Sequence, residues 1–130
     1  MNTKTFAPAL ENTEAVTAFA EDALRLENCP EKAVRKLCVA ADELFSNIAR
    51  YGGATEFTLA CQARDGRATM VFRDNGAAFD PTAAEPPDTG LDAAERPIGG
   101  LGIWMVRKMT TGMTYERRDG WNEVTVWLDV

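Results

Sequence analysis

The sequence contains no histidine and only three cysteines among its 130 residues. Without histidine, the chain cannot build a Cys/His zinc site, a histidine-based catalytic triad or a self-phosphorylated histidine. The cysteines, Cys29, Cys38 and Cys61, form no Cys-x-x-Cys pair, and their odd number does not suit a closed disulfide framework. We therefore expect three free thiols in a reducing, cytoplasmic protein.

The sequence also lacks long apolar runs and an excess of basic residues. No stretch approaches the roughly 20 apolar residues of a membrane span, and residues 1–14 contain no apolar signal core. The formal net charge of −6 argues against nucleic acid as the main partner. Solubility is the simplest explanation of an acidic surface. We expect neither a membrane nor a nucleic-acid partner, and a polyanionic ligand would need a bound cation or local hydrogen-bond donors.

A chain of this length, 45% hydrophobic and 26% charged, is sized for one domain, residues 1–130, with a real core. Apolar residues at helical spacing predict two helices in its first half. The first begins after Asn12 as an N-cap and ends at 27–30. The second begins at Pro30 and ends at Gly52–Gly53.

Strands are predicted where apolar and polar residues alternate between turn signals. They comprise a short segment at 4–9, a hairpin of 56–63 and 67–74 joined through Asp65-Gly66, and a closing hairpin at 113–130. Residues 81–97 are interpreted as a loop that covers something, because they carry prolines without a helical or strand period. Residues 99–109 are predicted as a glycine loop running into a helix that Gly112 ends.

The predicted order β-α-α-β-β-loop-α-β-β favours an α/β two-layer sandwich, in which a mixed, mostly antiparallel sheet has its helices on one face. The other face is then either solvated or covered by a partner. Because an exposed apolar face tends to associate, we expect a homodimer or a stable complex with the partner.

An unusual polar pair precedes the end of the second helix. Glu43 and Asn47 are one turn apart and lie off the apolar stripe, at a helix C-terminus that would favour Lys or Arg. Taken alone, the pair is compatible with a polar helix shoulder as well as with a functional site.

Two glycine-containing segments raise similar alternatives. Asp74-Asn75-Gly76 is either a plain turn or a strand-end carboxylate that accepts a hydrogen bond from a ligand beside a closely approaching backbone. Residues 99–102, GGLG, either form a tight connection into a helix or offer their N–H groups to a phosphate. They match neither a Walker A loop nor a Rossmann fingerprint, in which Met105 would have to be glycine.

The combination is more specific than any one piece. E-x-x-x-N on a helix, D-x-G-x-x-F after a strand, a loop, and G-x-G opening a helix together resemble the nucleotide-binding boxes of the GHKL ATPases, the histidine-kinase-like ATPases with the Bergerat fold. The resemblance covers nearly the whole chain. Within that superfamily the sequence is most similar to the anti-sigma-factor serine/threonine kinases of bacterial partner-switching systems, since histidine kinases need a phosphoacceptor histidine and dimerisation helices.

The resemblance implies a role for each matching residue. Glu43 would be the general base, Asn47 would bind the Mg²⁺ that accompanies ATP, and Asp74 would accept from the adenine amino group. The other implied nucleotide contacts are Gly76, Gly100, Leu101 and Gly102, with 81–97 as the lid. Two positions depart from the family pattern: Ala78 replaces a glycine beside the adenine pocket, and Asn122 stands where many members carry threonine.

The implied function is an ATP- and Mg²⁺-dependent protein serine/threonine kinase. Its implied partners are a small antagonist protein with a phosphorylatable serine and a sigma factor or similar regulator. The alternative is a non-enzymatic ATP-binding module that changes its partner binding with the nucleotide. A third alternative is an interaction domain with a vestigial pocket.

Overall fold

The computed structural model describes residues 1–83 and 100–130, with the backbone alone at residues 100 and 101. Within these residues the chain forms eight helices and strands of conventional length. They are β1 (Asn2–Phe6), α1 (Thr13–Leu26), α2 (Glu31–Tyr51), β2 (Phe57–Arg64), β3 (Arg67–Asp74), α3 (Gly100–Met109), β4 (Gly112–Arg118) and β5 (Trp121–Asp129). Short 3₁₀ turns occupy Leu10–Asn12 and Pro81–Ala83.

The five strands form one sheet in the order β1-β2-β3-β5-β4, and each neighbouring pair in that order is antiparallel. The helices cover one face of this sheet, so the predicted α/β two-layer sandwich is confirmed. β3 and β5 are neighbours although they are distant in the sequence. Their register pairs Asp74 with Asn122 at one end of the two strands.

The core lies between the helices and the covered face of the sheet. The apolar residues predicted from helical spacing and those predicted from strand alternation both face it. Phe45 of α2, Phe57 of β2 and Phe72 of β3 are fully buried, and the ring centroids of Phe45 and Phe57 are 4.9 Å apart. On β5, Val124 and Val126 are buried and Leu128 is partly buried against the same cluster. Burial of these apolar side chains is the main force that holds α2 against the sheet.

Both tight hairpins use Asp-Gly in left-handed conformations. Asp65 and Gly66 have φ values of 53° and 76°, and Asp119 and Gly120 have φ values of 52° and 81°. Positive φ at both central residues is the type I′ pattern that matches the twist of antiparallel strands. The hairpin predicted at Asp65-Gly66 is therefore confirmed.

Two local predictions were wrong. Asn12 has no side-chain cap on α1: it closes a 3₁₀ turn that continues into the helix, and its amide donates to the Ala7 carbonyl at 2.8 Å. Gly112 does not end α3, which stops at Met109; it begins β4 beneath Trp127. A Cβ on Gly112 would overlap the Trp127 indole, so packing explains this glycine. Of the loop interpreted at 81–97, residues 84–97 lie outside the described part of the chain.

The outer face of the sheet is more polar than we expected. Its largest apolar side chains are Trp121 and Trp127, and each carries an arginine over its ring: Arg73 at 5.1 Å and Arg67 at 5.4 Å from the ring centroids. Between them the strands present mainly threonine, glutamine and charged residues. The apolar outer face on which we based the homodimer is therefore reduced to these two indoles and the smaller side chains of Val71 and Ala60, and the homodimer stays a prediction. Across the described ranges, no helix is long and apolar enough to cross a bilayer.

The three thiols provide a test of the core. All three cysteines are free; Cys29 and Cys61 are buried and Cys38 is partly exposed. Burial raises the pKa of Cys38 to about 11 and that of Cys61 to about 12. At pH 8 a thiol of pKa 11 is ionised to roughly one part in a thousand.

We therefore expect three thiols to titrate in denaturant without added reductant. In native protein Cys38 should react first and far more slowly than free cysteine. The measurement is a timed colorimetric thiol assay on wild type and Cys38→Ser, which should lack the first phase. Fewer than three thiols in denaturant would contradict the assignment.

Candidate functional site

The polar pair near the end of α2 is assembled as the spacing predicted. Glu43 and Asn47 are both half-buried, and the Asn47 amide Nδ2 donates to Glu43 Oε1 at 3.3 Å. This bond orients the amide so that Asn47 Oδ1 points away from the carboxylate. Among the residues that the structure describes, Asn47 Oδ1 has no hydrogen-bond donor, so the pair offers a carboxylate and an available amide oxygen side by side.

The first turn of α3 comes directly against that pair. α3 begins at Gly100, so Gly100, Leu101 and Gly102 form its N-terminal turn. A Cβ built on Gly102 would overlap the Glu43 carboxylate, so any larger residue would displace either the carboxylate or the helix. The structure therefore brings together two motifs that lie 59 positions apart in the sequence. Because the N-terminus of a helix presents unpaired N–H groups and positive potential, this junction suits an anionic ligand group.

Asp74, at the end of β3, is the buried carboxylate of the site. Its side chain is only 4% exposed, and its Oδ1 accepts from the Gly76 backbone N–H at 2.9 Å and from Asn122 Nδ2 at 3.1 Å. In the described part of the chain, no hydrogen bond reaches Oδ2. A buried carboxylate oxygen without a donor is costly unless a ligand supplies one.

The turn after Asp74 is held against the end of α2. The Ala77 backbone N–H donates to the Gly52 carbonyl at 2.8 Å, and a Cβ on Gly76 would overlap the same carbonyl oxygen. Asn75 ties the turn down further, because its Oδ1 accepts from the backbone N–H groups of Thr55 and Glu56 at 2.8 and 2.9 Å. Asp74-Asn75-Gly76 is therefore not a plain hairpin turn.

A cavity of about 260 Å³ lies between the end of α2 and the ends of β3 and β5. Asn47 and Asp74 are both on its wall, and the rest of the lining is mostly apolar: Leu44, Ile48, Tyr51, Gly52, Phe72, Ala77, Ala78, Phe79, Pro81, Asn122 and Val124. A small apolar cleft with a few placed polar groups is the usual form of a ligand site. Its apolar walls suit a flat heterocycle, and Asp74 and Asn47 supply polar groups on the same wall.

The sequence reasoning missed two aromatic residues of this cavity. Tyr51 and Phe79 both line it while remaining 53% and 50% exposed, which puts them at its rim. Tyr51 follows Asn47 by four residues, so the i, i+4 spacing on one helix face could have identified it. Ala78, the departure from the family pattern, is exposed at the same rim and does not fill the interior.

The site residues fit a nucleotide with a magnesium ion. The described ranges hold no cluster of three or more His, Cys, Asp or Glu side chains that could cage a metal. Mg²⁺ does not need such a cage, because it is commonly held by one or two protein oxygens together with substrate phosphates and water. The free Oδ1 of Asn47 supplies an oxygen of that kind, and Asp74 Oδ2 supplies an acceptor for a base.

Comparisons with known proteins agree with this geometry. The family described as "Histidine kinase-like ATPase domain" matches residues 6–128. The serine/threonine-protein kinase BtrW of Bordetella bronchiseptica is 33% identical over 96 residues, which cover 69% of this chain and 66% of that protein, slightly under two thirds. The histidine kinase AdeS of Acinetobacter baumannii has the same fold, with a TM-score of 0.54 at 15% identity over 99% of this chain and 68% of that chain.

Asp74 should dominate recognition of the base. A hydrogen bond to a charged acceptor contributes about 1.5–3 kcal/mol, so Asp74→Ala should weaken ATP binding at least about tenfold. The measurement is titration calorimetry, with Asp80→Ala as the matched control, because Asp80 is an exposed carboxylate whose partner within the described ranges is Thr82. Unchanged affinity in Asp74→Ala would remove the assignment.

Proposed function

We propose, from the premise that the chain belongs to the family of histidine-kinase-like ATPase domains, that it is a protein serine/threonine kinase dependent on ATP and Mg²⁺. Membership of an ATPase family implies that the chain binds ATP. The observation that carries the finer proposal is the packing of Gly102 against Glu43, because it sets a carboxylate beside the helix N-terminus suited to phosphates. The similarity to a named serine/threonine kinase supports the same conclusion.

Glu43 is the proposed general base. Phosphoryl transfer to serine requires the hydroxyl to be positioned and its proton to be accepted as the bond to phosphorus forms. Glu43 is half-buried, and its only hydrogen bond among the described residues is the 3.3 Å contact with Asn47. Its other oxygen, Oε2, is therefore available to a substrate hydroxyl.

Asn47 is proposed to contribute its free amide oxygen to the ion that accompanies ATP. When bound, Mg²⁺ neutralises the negative charge of the phosphates. An acidic chain otherwise supplies little positive charge for this purpose. Asn47 also holds Glu43 through Nδ2, so a single side chain links the metal ligand set to the base. Asp74 and the apolar walls of the cavity hold the base of the nucleotide.

The proposed protein substrate is a small antagonist that carries a phosphorylatable serine. Phosphorylation of that serine would free the kinase to bind its regulator, a sigma factor or a similar protein, and the kinase would act as a homodimer. Support comes from the likeness of the site motifs to the partner-switching kinases. The proposed setting is the reducing cytoplasm, which the three free thiols support.

Glu43→Gln should separate catalysis from binding. The substitution keeps an oxygen for the Asn47 amide, so ATP affinity should stay near that of wild type. General-base assistance is worth about 10²–10⁴-fold, so phosphoryl transfer should slow at least about a hundredfold. The measurement is single-turnover transfer from labelled ATP to the candidate antagonist, beside a calorimetric affinity.

Asp42→Asn is the matched control for this experiment, because Asp42 is the neighbouring, exposed carboxylate of the same helix. It should transfer at the wild-type rate. Full activity in Glu43→Gln would sink the base assignment. Wild type that binds ATP but transfers to no serine-bearing antagonist would favour the non-enzymatic module.

Asn47→Leu should uncouple nucleotide binding from Mg²⁺. In wild type, affinity for ATP should rise when Mg²⁺ is added, whereas in Asn47→Leu the affinities with and without the ion should converge. Asn47→Asp keeps an oxygen ligand and should retain the dependence. Ser46→Ala is the control, since Ser46 bonds Asp42 and is not among the cavity-lining residues. An Asn47→Leu variant with normal Mg²⁺ dependence would show that Asn47 is not a ligand.

A further inference from the structure

The side chain of Asn122 has all of its hydrogen-bonding capacity satisfied inside the protein. Asn122 is 3% exposed. Its Nδ2 donates to Asp74 Oδ1 at 3.1 Å and to the Ala77 carbonyl at 2.8 Å. Its Oδ1 accepts from the Tyr115 hydroxyl at 2.6 Å and from Arg117 Nη1 at 3.0 Å. Two donated and two accepted bonds use the full capacity of a carboxamide.

These partners determine which way the amide points. A flipped amide would turn its oxygen toward the Asp74 carboxylate and the Ala77 carbonyl, which are both acceptors. It would also turn its nitrogen toward Arg117, which can only donate. The observed orientation is therefore the one that the neighbours permit. Because no polar atom of Asn122 remains for a ligand, its role must be exercised through Asp74.

β4 supplies the two residues that donate to Asn122 Oδ1, Tyr115 and Arg117. Arg117 is directly opposite Asn122 in the β4–β5 register, and its Nη1 also donates to the Gly76 carbonyl at 3.0 Å. Arg117 thus joins the turn after β3 to the side chain that holds Asp74. Tyr115 and Arg117 therefore hold Asn122 in place, and Asn122 in turn holds Asp74 Oδ1.

A fixed carboxylate discriminates between purines in a way that a mobile one does not. The Watson–Crick edge of adenine presents a 6-amino donor next to an acceptor at N1, whereas hypoxanthine and guanine present a 6-oxo acceptor next to an N1–H donor. A carboxylate free to shift along the edge could follow the donor from one position to the other. Asp74 has one oxygen committed to Gly76 and Asn122, so only Oδ2 is left and its position is set.

We propose that Asn122, held by Tyr115 and Arg117, is the positioning residue for base selection: it fixes Asp74 so that the site accepts a 6-amino purine and rejects a 6-oxo purine. This inference rests on the proposed ATP-binding function. It assigns base selection to three residues of β4 and β5 that do not themselves bond the base.

The test compares the affinities of ADP and IDP, which differ only at the 6 position and N1 and cannot transfer a γ-phosphate. Calorimetry with Mg²⁺ is run on wild type, Asn122→Ala and Arg117→Gln, with thermal unfolding as a check on folding. The ratio of ADP to IDP affinity should fall at least about tenfold in Asn122→Ala, and less but measurably in Arg117→Gln. Asn122→Thr, which returns one donor to Asp74, should restore part of the ratio.

Arg118→Gln is the matched control, because Arg118 is the next residue of the same strand but pairs with the exposed Glu116. It should leave the ratio unchanged. Equal loss of both affinities in Asn122→Ala would show a merely structural role and overturn the inference, as would an unchanged ratio. If Asn122→Ala does not fold, Arg117→Gln decides alone. Wild type that binds neither nucleotide would instead overturn the proposed function.

Discussion

The candidate site depends on one hydrogen bond between layers, from the Ala77 backbone N–H to the Gly52 carbonyl at 2.8 Å. It joins the turn after β3 to the C-terminal end of α2, where carbonyl groups otherwise lack helical partners. The approach is so close that a side chain at Gly76 would overlap the Gly52 oxygen. Because these two ends meet, Asn47, one turn back on α2, faces the same cavity as Asp74.

The two carboxylates of the site differ in how firmly they are held. Asp74 is almost fully buried and accepts two hydrogen bonds on one oxygen. Glu43 is partly exposed and makes one long bond, at 3.3 Å, to Asn47. A carboxylate held rigidly suits recognition, because it presents its acceptor at one place. One held by a long hydrogen bond suits proton transfer, because its partner competes weakly with a substrate hydroxyl for the carboxylate.

An acidic chain can hold a polyanion only where the local field opposes the net field. The first turn of α3 provides that opposition through its N–H groups and dipole. The adjacent Glu43 carboxylate reduces this positive potential. An ion bound at the amide oxygen of Asn47 would therefore be needed to restore it at the proposed site. The apolar walls between Asn47 and Asp74 lower the local dielectric and so strengthen each polar contact that a ligand makes.

The local elements of this protein could be read from sequence, because their causes are local. Apolar spacing placed α2, Asp65-Gly66 placed a hairpin, and the one-turn interval placed Glu43 beside Asn47. Asn12 misled because its amide bonds a carbonyl five residues back instead of capping the helix. The polarity of the outer face was also missed, since the arginines above Trp121 and Trp127 come from a neighbouring strand.

Asn122 looked only like a departure from a family pattern. Its role was decided by the pairing of β3 with β5, which joins residues 48 positions apart. Such a pairing is chosen by the packing of the whole sheet against its helices, so the contact between Asp74 and Asn122 exists only in the tertiary structure.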